Sequence, residues 1–221
     1  MNQSEYKVVD LQRYYRKAVY DRFTKQCKCS VSITNSIDVT ALYDFSKASR
    51  TKFYINFLYL LSKVLNSRED YRLGYLFQTD QVVLYNQINP THYIFHDDTE
   101  TCTHVYSLYY PDYKQFYEAC EQDIVRAKQT RELNFDEPRH PNWFDASYIS
   151  WLCYDSLNIE LPDGYLYYTP IINWGKYRKE GDRLTMPVTV RMNHAVADGY
   201  LISKVFLLLA DAIAEFTAAR T

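Results

Sequence analysis

The last third of the chain carries the clearest alternation of apolar and polar positions. From Thr185 to His194 every second residue is apolar, with His194 itself closing the series, which is the period of a strand with one buried face. From Leu201 to Phe216 apolar residues recur three and four positions apart, which is the period of an amphipathic helix. The pattern therefore predicts a strand that passes through a short loop into the final helix.

Earlier segments predict further helices and strands by the same two periods. Helical spacing covers 53–65 and 113–127, and a third helical pattern starts after Asp10, whose carboxylate would cap it. Alternation predicts a strand from Cys29 to Ile37, and Thr79-Asp80 predicts the turn of a hairpin. The hairpin strands are 73–78 and 81–85, and the other predicted strands are 93–95, 101–107 and 166–173. This order indicates an α/β or α+β fold with a mixed sheet and flanking helices. Since no linker or repeat divides residues 1–221, we expect a single domain.

Composition and charge exclude several classes of partner. The net charge is −2, so no overall positive field attracts nucleic acid or an anionic membrane. The polar start of the chain has no signal-peptide core, and Lys63 and Lys204 interrupt the longest apolar stretches. Five cysteines without metal-ligand spacing argue against a disulfide framework and against a metal site. We therefore expect a cytoplasmic protein that binds neither nucleic acid nor membrane.

The end of the alternating strand carries the candidate chemistry. His194 is followed within one loop by Asp198 and Gly199, directly before the final helix. Loops at strand ends often hold catalytic groups and a histidine titrates near neutral pH, so His194 is a candidate general base. Two simpler interpretations compete: His194 could be a core histidine with satisfied nitrogens, and Asp198 could serve only as a helix cap. A His-x-x-x-Asp-Gly pattern alone is too short to decide between them.

Several segments together resemble one enzyme family. The segment Asn193–Gly199 is similar to the His-His-x-x-x-Asp-Gly motif of chloramphenicol acetyltransferases. The similarity continues through nearly the whole chain, from about Tyr14 to the final helix. Its other matching segments are Thr51–Tyr54, Tyr93–His96 with Thr99–Thr101, Trp151 with Tyr154–Asn158, and Pro170–Pro187. The resemblance implies the CoA-dependent acyltransferase fold and antibiotic inactivation by acetylation of chloramphenicol.

The resemblance also implies a mechanism in which acetyl passes directly from acetyl-CoA to a hydroxyl, without an acyl-enzyme. His194 would be the general base, and Ser147, before the matching Trp151, would donate a hydrogen bond to the oxyanion. Ser150 is a neighbouring alternative for that donor. Asp198 would pair with Arg16 from the first helix and hold the loop in shape.

For the two ligands, the resemblance implies further residues. Coenzyme A would contact Lys52 and Lys176 through phosphates and Tyr54 and Tyr177 through the nucleotide, with Trp151 beside them. The acceptor pocket would be formed by Phe23, Cys29, Cys102, His104, Asn134, Leu157, Ile159, Ile171 and Asn173. The family is a homotrimer with active sites between subunits, and a chain rich in aromatic residues, with 23 Tyr, 11 Phe and 3 Trp, agrees with such interfaces.

The sequence departs from the family pattern in places that concern the acceptor. Asn193 replaces the first histidine of the motif, which leaves the base in place. His104 stands where a small residue is usual and Asn134 where a phenylalanine is usual, although Phe135 would restore the ring by a shift of one residue. The departures indicate a smaller and more polar pocket.

Three alternatives to a chloramphenicol acetyltransferase follow. One is a related acyltransferase for another small hydroxyl or amine acceptor. Another is the catalytic core of a dihydrolipoamide acyltransferase, which shares the motif, although no lipoyl domain precedes this chain and the Lys52-Phe53-Tyr54 segment favours the first family. The third is a ligand-binding relative without catalysis, and the intact set of His194, Ser147, Asp198 and Arg16 argues against it.

Overall fold

The computed structural model describes residues 6–133, 141–162 and 164–220. Within these ranges the α-helices are α1 (Lys17–Lys25), α2 (Thr40–Ala48), α3 (Phe53–Asn66), α4 (Tyr113–Ala127) and α5 (Gly199–Ala218), and a short 3₁₀ helix covers Glu69–Arg72. The strands are β1 (Tyr6–Val8), β2 (Ser30–Asp38), β3 (Leu73–Leu76), β4 (Gln81–Tyr85), β5 (Asn89–His96), β6 (Thr101–Tyr106), β7 (Trp143–Ile149), β8 (Ile171–Gly175), β9 (Arg178–Glu180) and β10 (Arg183–Asn193).

A mixed sheet forms the centre of the described structure. Its strand order is β2-β10-β8-β7-β5-β6, with β9 paired to β10. The β5–β7 and β7–β8 pairs are parallel, and the other pairs are antiparallel. A smaller sheet, ordered β1-β4-β3, lies apart from it. The predicted α/β class, with a mixed sheet and flanking helices, is confirmed.

The two faces of the large sheet differ in polarity. The predicted apolar side of β10, including Met186, Val188 and Met192, is fully buried, and α5 contacts both β10 and β2. The other side of β10 carries Thr189 and Arg191, which are also buried although they are polar. Alternation along a strand dictates this separation, because successive side chains point to opposite faces. The polar face is the one that needs hydrogen-bond partners.

Most of the predicted elements are confirmed, including the β10–α5 unit, β2, α3, α4 and the β3–β4 hairpin. The hairpin turn places Asp80 at a φ of 54°, in the left-handed region that Asp tolerates better than most residues. None of the helices in the described ranges is long and apolar enough to span a membrane.

Two predicted boundaries are wrong. Asp10 does not cap a helix: its carboxylate accepts from the N–H of Gln12 and its carbonyl from the N–H of Arg13, so it closes a separate turn. The helix begins only at Lys17. The predicted strand 166–173 is also displaced, because the N–H of Tyr167 bonds locally to the carbonyl of Tyr165, and pairing starts at Ile171.

Four of these elements are absent from the predicted set: α2, β7 and the three-residue strands β1 and β9. Helix α2 begins directly after β2, where the carboxylate of Asp38 accepts from the N–H of Thr40 at 2.9 Å. Strand β7 has rings on both of its faces, so the apolar and polar positions do not alternate clearly. Strand β7 nevertheless matters for the candidate site, since it carries Ser147, the predicted oxyanion donor.

Candidate active site

The loop after β10 holds the backbone of His194 by several hydrogen bonds. The N–H of His194 donates to the carbonyl of Cys29 at 3.0 Å. The side-chain oxygen of Asn193 accepts from the N–H of Ala195, and its carbonyl accepts from the N–H groups of Val196 and Ala197. The side chains of 195–197 are fully buried. The direction in which His194 leaves the strand is therefore fixed.

The imidazole of His194 is fixed as well. It stacks on the ring of Phe23 from α1, with centroids 3.6 Å apart and planes within 7°. Its Nδ1 is buried and has no hydrogen-bond partner among the described residues. The arrangement is therefore not a Ser-His-Asp triad, in which a carboxylate holds that nitrogen.

Asp198 contacts Arg16 and the start of α5 instead. The Nη2 of Arg16 donates to Oδ2 of Asp198 at 2.9 Å, and the N–H of Leu201 donates to Oδ1 at 3.0 Å. Burial raises the pKa of the Asp198 carboxyl, but the bonds from Leu201 and Arg16 outweigh burial and leave the pKa below its usual value. One carboxylate thus caps α5 and ties the loop to the segment before α1.

Ser147 lies in a different part of the molecule. It is half-buried on β7 and lines a cavity of about 650 Å³ together with Lys52, Tyr54, Cys102 and Trp151. Trp151 is 59% exposed, and its ring meets Phe95 edge-on at 4.7 Å. The structure therefore brings Ser147 together with three of the residues expected to contact coenzyme A.

Lys52 and Tyr54 are engaged within the protein. Lys52 precedes α3 and its ammonium lies 2.8 Å from a carboxylate oxygen of Glu121. The hydroxyl of Tyr54 is hydrogen-bonded to Nδ1 of His92 at 2.9 Å, and Nε2 of His92 to the hydroxyl of Ser107. Burial, with a smaller effect of His104, lowers the pKa of His92 to about 3. The imidazole of His92 is therefore uncharged at neutral pH, and its hydrogen bond holds the hydroxyl of Tyr54.

Lys176 and Tyr177 follow β8 outside the lining of this cavity. Lys176 is exposed, and its N–H donates to the carbonyl of Leu152 at 2.7 Å, while Tyr177 packs edge-on against Tyr43 and Phe53. At Gly175, just before them, a Cβ would come within 2.8 Å of the Leu152 carbonyl. The absence of a side chain at Gly175 lets the segment next to Trp151 lie directly on β8.

The residues predicted to bind the acceptor lie in several separate places. Phe23, Cys29 and Ile159 line a cavity of about 310 Å³ that also touches Asn193, the residue before His194; we call it the His194 cavity, although His194 itself is not among its lining residues. Cys102 lines the cavity of Ser147, and His104 lines a third of about 420 Å³, where it stacks on Tyr93.

The remaining acceptor candidates have other positions. Ile171 and Asn173 are buried on β8, and Leu157 donates its N–H to the hydroxyl of Thr34. Asn134 and the neighbouring Phe135 lie outside the described residues.

The strand register shows that His194 and Ser147 of one chain are far apart. Ser147 pairs with Asn173 on β8, and Asn173 pairs with Thr189 on β10. His194 follows Thr189 by five residues, while two strand spacings separate β7 from β10. At these spacings the two Cα atoms are roughly 20 Å apart. One small substrate cannot touch both side chains of the same chain.

Arg191 is a residue of the His194 cavity that the sequence did not single out. It is 3% exposed, its Nη2 donates to the hydroxyl of Ser30 at 2.5 Å, and its Nε and Nη1 have no partner within the described part of the chain. Burial lowers the pKa of the guanidinium, and Tyr167 partly opposes this. One sequence feature could have identified Arg191: it is an arginine in the middle of a long predicted strand, on the same polar side as Thr189.

No group of three His, Cys, Asp or Glu side chains suited to a metal ion occurs in residues 6–133, 141–162 and 164–220.

Comparisons with known proteins agree with this architecture. Residues 4–209 match the family described as chloramphenicol acetyltransferase. A chloramphenicol acetyltransferase of Proteus mirabilis is 29% identical over 197 residues, which is 89% of each chain. A solved chloramphenicol acetyltransferase aligns with a TM-score of 0.83 at 20% identity, over 94% of this chain and 99% of that one.

A probable dihydrolipoamide acetyltransferase of Listeria monocytogenes shares the fold more distantly. It aligns with a TM-score of 0.63 at 14% identity, over 92% of each chain. The two structural alignments show that the chain has the fold of CoA-dependent acyltransferases. The sequence match over residues 4–209 shows the family. The chain belongs to the chloramphenicol acetyltransferase family, whose members are acyltransferases.

Proposed function

We propose that this chain transfers acetyl from acetyl-CoA to a hydroxyl of chloramphenicol, with residues 1–221 acting as one domain. Family membership supports the reaction and the co-substrate. The observation that carries the proposal is the imidazole of His194, which is stacked on Phe23, fixed through Cys29 and not engaged by Asp198. A base held in this way has one geometry in which to meet a hydroxyl.

His194 would act first as a base and then as an acid. It takes the proton of the acceptor hydroxyl while the oxygen attacks the thioester carbon, and a tetrahedral intermediate forms. The intermediate collapses by breaking the carbon–sulfur bond, and the imidazolium returns the proton to the sulfur of coenzyme A. A positioned base of this kind contributes roughly 10²–10⁴-fold to the rate.

Ser147 would donate its hydroxyl hydrogen bond to the oxyanion of that intermediate. Its cavity of about 650 Å³ is large and open enough to admit part of coenzyme A, and Lys52 and Trp151 stand exposed at its edge. Lys52 and Lys176 would attract the phosphates, and Tyr54, Tyr177 and Trp151 would contribute apolar contacts. The bond from His92 to Tyr54 would hold one of those rings in place.

The separation of about 20 Å between His194 and Ser147 implies that two copies of the chain build each site. His194 of one copy would face Ser147 and the acetyl-CoA cavity of another. A closed ring of three copies satisfies this head-to-tail arrangement, because each copy offers both surfaces once. The homotrimer is therefore part of the proposed mechanism.

A thiol-release assay tests the reaction. The protein is mixed with acetyl-CoA and chloramphenicol, and free coenzyme A is followed with a thiol reagent, with acetyl-CoA alone as the blank. We expect release that depends on chloramphenicol and is lost in His194→Ala. Release in the variant at the rate of the unaltered protein would contradict the role of His194.

A mixed assembly tests the shared site. His194→Ala and Ser147→Ala chains, each of low activity, are unfolded together and refolded as one mixture. If sites combine residues of two copies, some sites in mixed trimers hold both an intact His194 and an intact Ser147, so activity returns to a fraction of the original. Activity no higher than that of the separate variants would reject the shared site.

A further inference from the structure

Helix α4 runs along one edge of the cavity that Ser147 lines. Ile124 and Lys128 lie four residues apart, at the end of α4 and on one of its faces, and both line this cavity of about 650 Å³. Glu121, one turn earlier on the same face, has a carboxylate oxygen 2.8 Å from the ammonium of Lys52. This edge of the cavity therefore has one lysine near the middle of α4 and another at its end.

The charges along this edge have one sign. Of the described residues that line the cavity, only Lys52 and Lys128 carry a charge, and both are positive. Glu121, which pairs with Lys52, is not among the lining residues. Seven residues separate Glu121 from Lys128, which is about 10 Å along the helix axis. An anion that enters this part of the molecule meets two separated cations and no acidic side chain of the lining.

The ammonium of Lys128 is available to a ligand. The backbone is held at both of its polar groups, because the N–H of Lys128 donates to the carbonyl of Ile124 and its carbonyl accepts from Nη1 of Arg131. The side chain is exposed, and no ion pair within the described ranges includes it. Arg126, two residues earlier, is by contrast paired with Asp123. Lys128 thus has a fixed backbone and a charge without a described counter-charge.

The residues predicted to bind phosphate do not supply this charge. Lys176 follows β8 and lies outside the lining of the cavity, and the ammonium of Lys52 is already engaged by Glu121. Coenzyme A carries phosphate at two places, as a diphosphate and as a 3′-phosphate. An ammonium binds such groups by charge-assisted hydrogen bonds. A free ammonium on the edge of the cavity suits one of these phosphates.

We propose that Lys128 binds a phosphate group of acetyl-CoA at the edge of the cavity of Ser147. The proposal rests on the proposed acetyl transfer, since it assigns a further binding residue to the co-substrate of that reaction. Lys128 donates a hydrogen bond to the phosphate and takes no part in the bonds that form and break. It therefore changes the affinity for the co-substrate and leaves the chemical step alone.

Calorimetry with the whole protein tests the proposal without turnover. The probes are coenzyme A, 3′-dephospho-coenzyme A and pantetheine, which has no phosphate and is measured by displacement of coenzyme A. We expect Lys128→Gln to raise the dissociation constant of coenzyme A about 3–10-fold, the range of a partly screened contact between exposed charges, and to leave that of pantetheine unchanged. Unaltered affinity for 3′-dephospho-coenzyme A in this variant assigns the 3′-phosphate to Lys128, and a loss assigns the diphosphate.

Two further variants assign the effect to the charge of Lys128. Lys128→Arg keeps a positive charge and should keep most of the affinity. Lys114→Gln removes an exposed lysine near the start of α4, outside the lining of the cavity, and should keep all of it. The loss in Lys128→Gln should also shrink as the salt concentration rises, because salt screens exposed charges.

A lysine at the end of a helix also interacts favourably with the helix dipole, so a structural role is the alternative. A lower melting temperature of Lys128→Gln with an unchanged dissociation constant for coenzyme A would establish that role and overturn the proposal. An equal loss of affinity for pantetheine would overturn it as well. If the unaltered protein did not bind coenzyme A, the proposed function would fail together with the role of Lys128. Binding that Lys128→Gln does not weaken would reject the role of Lys128 alone.

Discussion

The loop around His194 and the cavity around Ser147 are built in opposite ways. The loop is fixed by backbone bonds, a stacked ring and the Arg16–Asp198 pair, and its small side chains are buried. The cavity is wide, and Trp151 and Lys52 are exposed at its edge. Proton transfer requires a base held within a fraction of an ångström, whereas a long co-substrate requires room to enter and leave. The rigid loop therefore suits the predicted base, and the open cavity suits the predicted co-substrate.

Among the substitutions that distinguish the loop from the cavity, the one at Ser147 should have the largest effect. Ser147→Ala should lower kcat by roughly 10²–10³-fold, the usual loss for one oxyanion donor, while the melting temperature stays the same because the hydroxyl supports no packing. Thiol-release kinetics and thermal unfolding measure the two quantities. Ser150→Ala, three residues along and exposed, is the matched control and should keep full activity. If the Ser150 variant lost the rate and the Ser147 variant kept it, the donor would be Ser150.

An intermediate effect is expected at the rigid loop. Asp198→Ala removes the cap of α5 and leaves Arg16 without its partner, so we expect a loss of about 1–3 kcal/mol in the free energy of unfolding. Urea unfolding of the assembled protein, at one protein concentration for both chains, measures the loss. An unchanged unfolding midpoint would mean that the pair does not hold the loop.

The pKa of Asp198 adds a pH signature to that experiment. Because its pKa is lower in the folded than in the unfolded protein, the carboxylate stabilises the fold above about pH 4, the unfolded value. This contribution is lost as the pH falls through the folded pKa. The gap in unfolding free energy between the unaltered protein and Asp198→Ala should therefore be constant near pH 7 and narrow below pH 4.

The smallest expected effect is at the edge of the open cavity. Lys52→Gln removes one exposed ammonium, so the KM for acetyl-CoA should rise by about 3–10-fold, as for a partly screened phosphate contact, without a change in melting temperature. Steady-state kinetics at varied acetyl-CoA measure it, and Lys47→Gln on α2, outside the residues lining that cavity, serves as the control. A lower melting temperature in the Lys52 variant would indicate that its contact with Glu121 is structural instead.

The sequence was sufficient to predict the helices and strands whose apolar positions recur regularly. It was insufficient to predict features that depend on contacts between distant segments of the chain. Alternation predicted β10 and helical spacing predicted α5, because each buries one face continuously. The burial of Arg191 could not be predicted, since it depends on residues such as Ser30 and Tyr165 that reach the same cavity from elsewhere in the chain. The separation of His194 from Ser147 depends on the order β10-β8-β7, which no local pattern contains.

Gly175 sets a limit on how the segment beside the Ser147 cavity can evolve. The Leu152 carbonyl would lie 2.8 Å and the ring of Pro187 2.9 Å from any Cβ at this position. Even one methyl group would therefore lift the segment that carries Trp151 away from the sheet, because backbone and a proline ring cannot swing aside. Sequence change in this segment is confined to its own side chains. The path of its backbone depends on a residue that does not line the cavity.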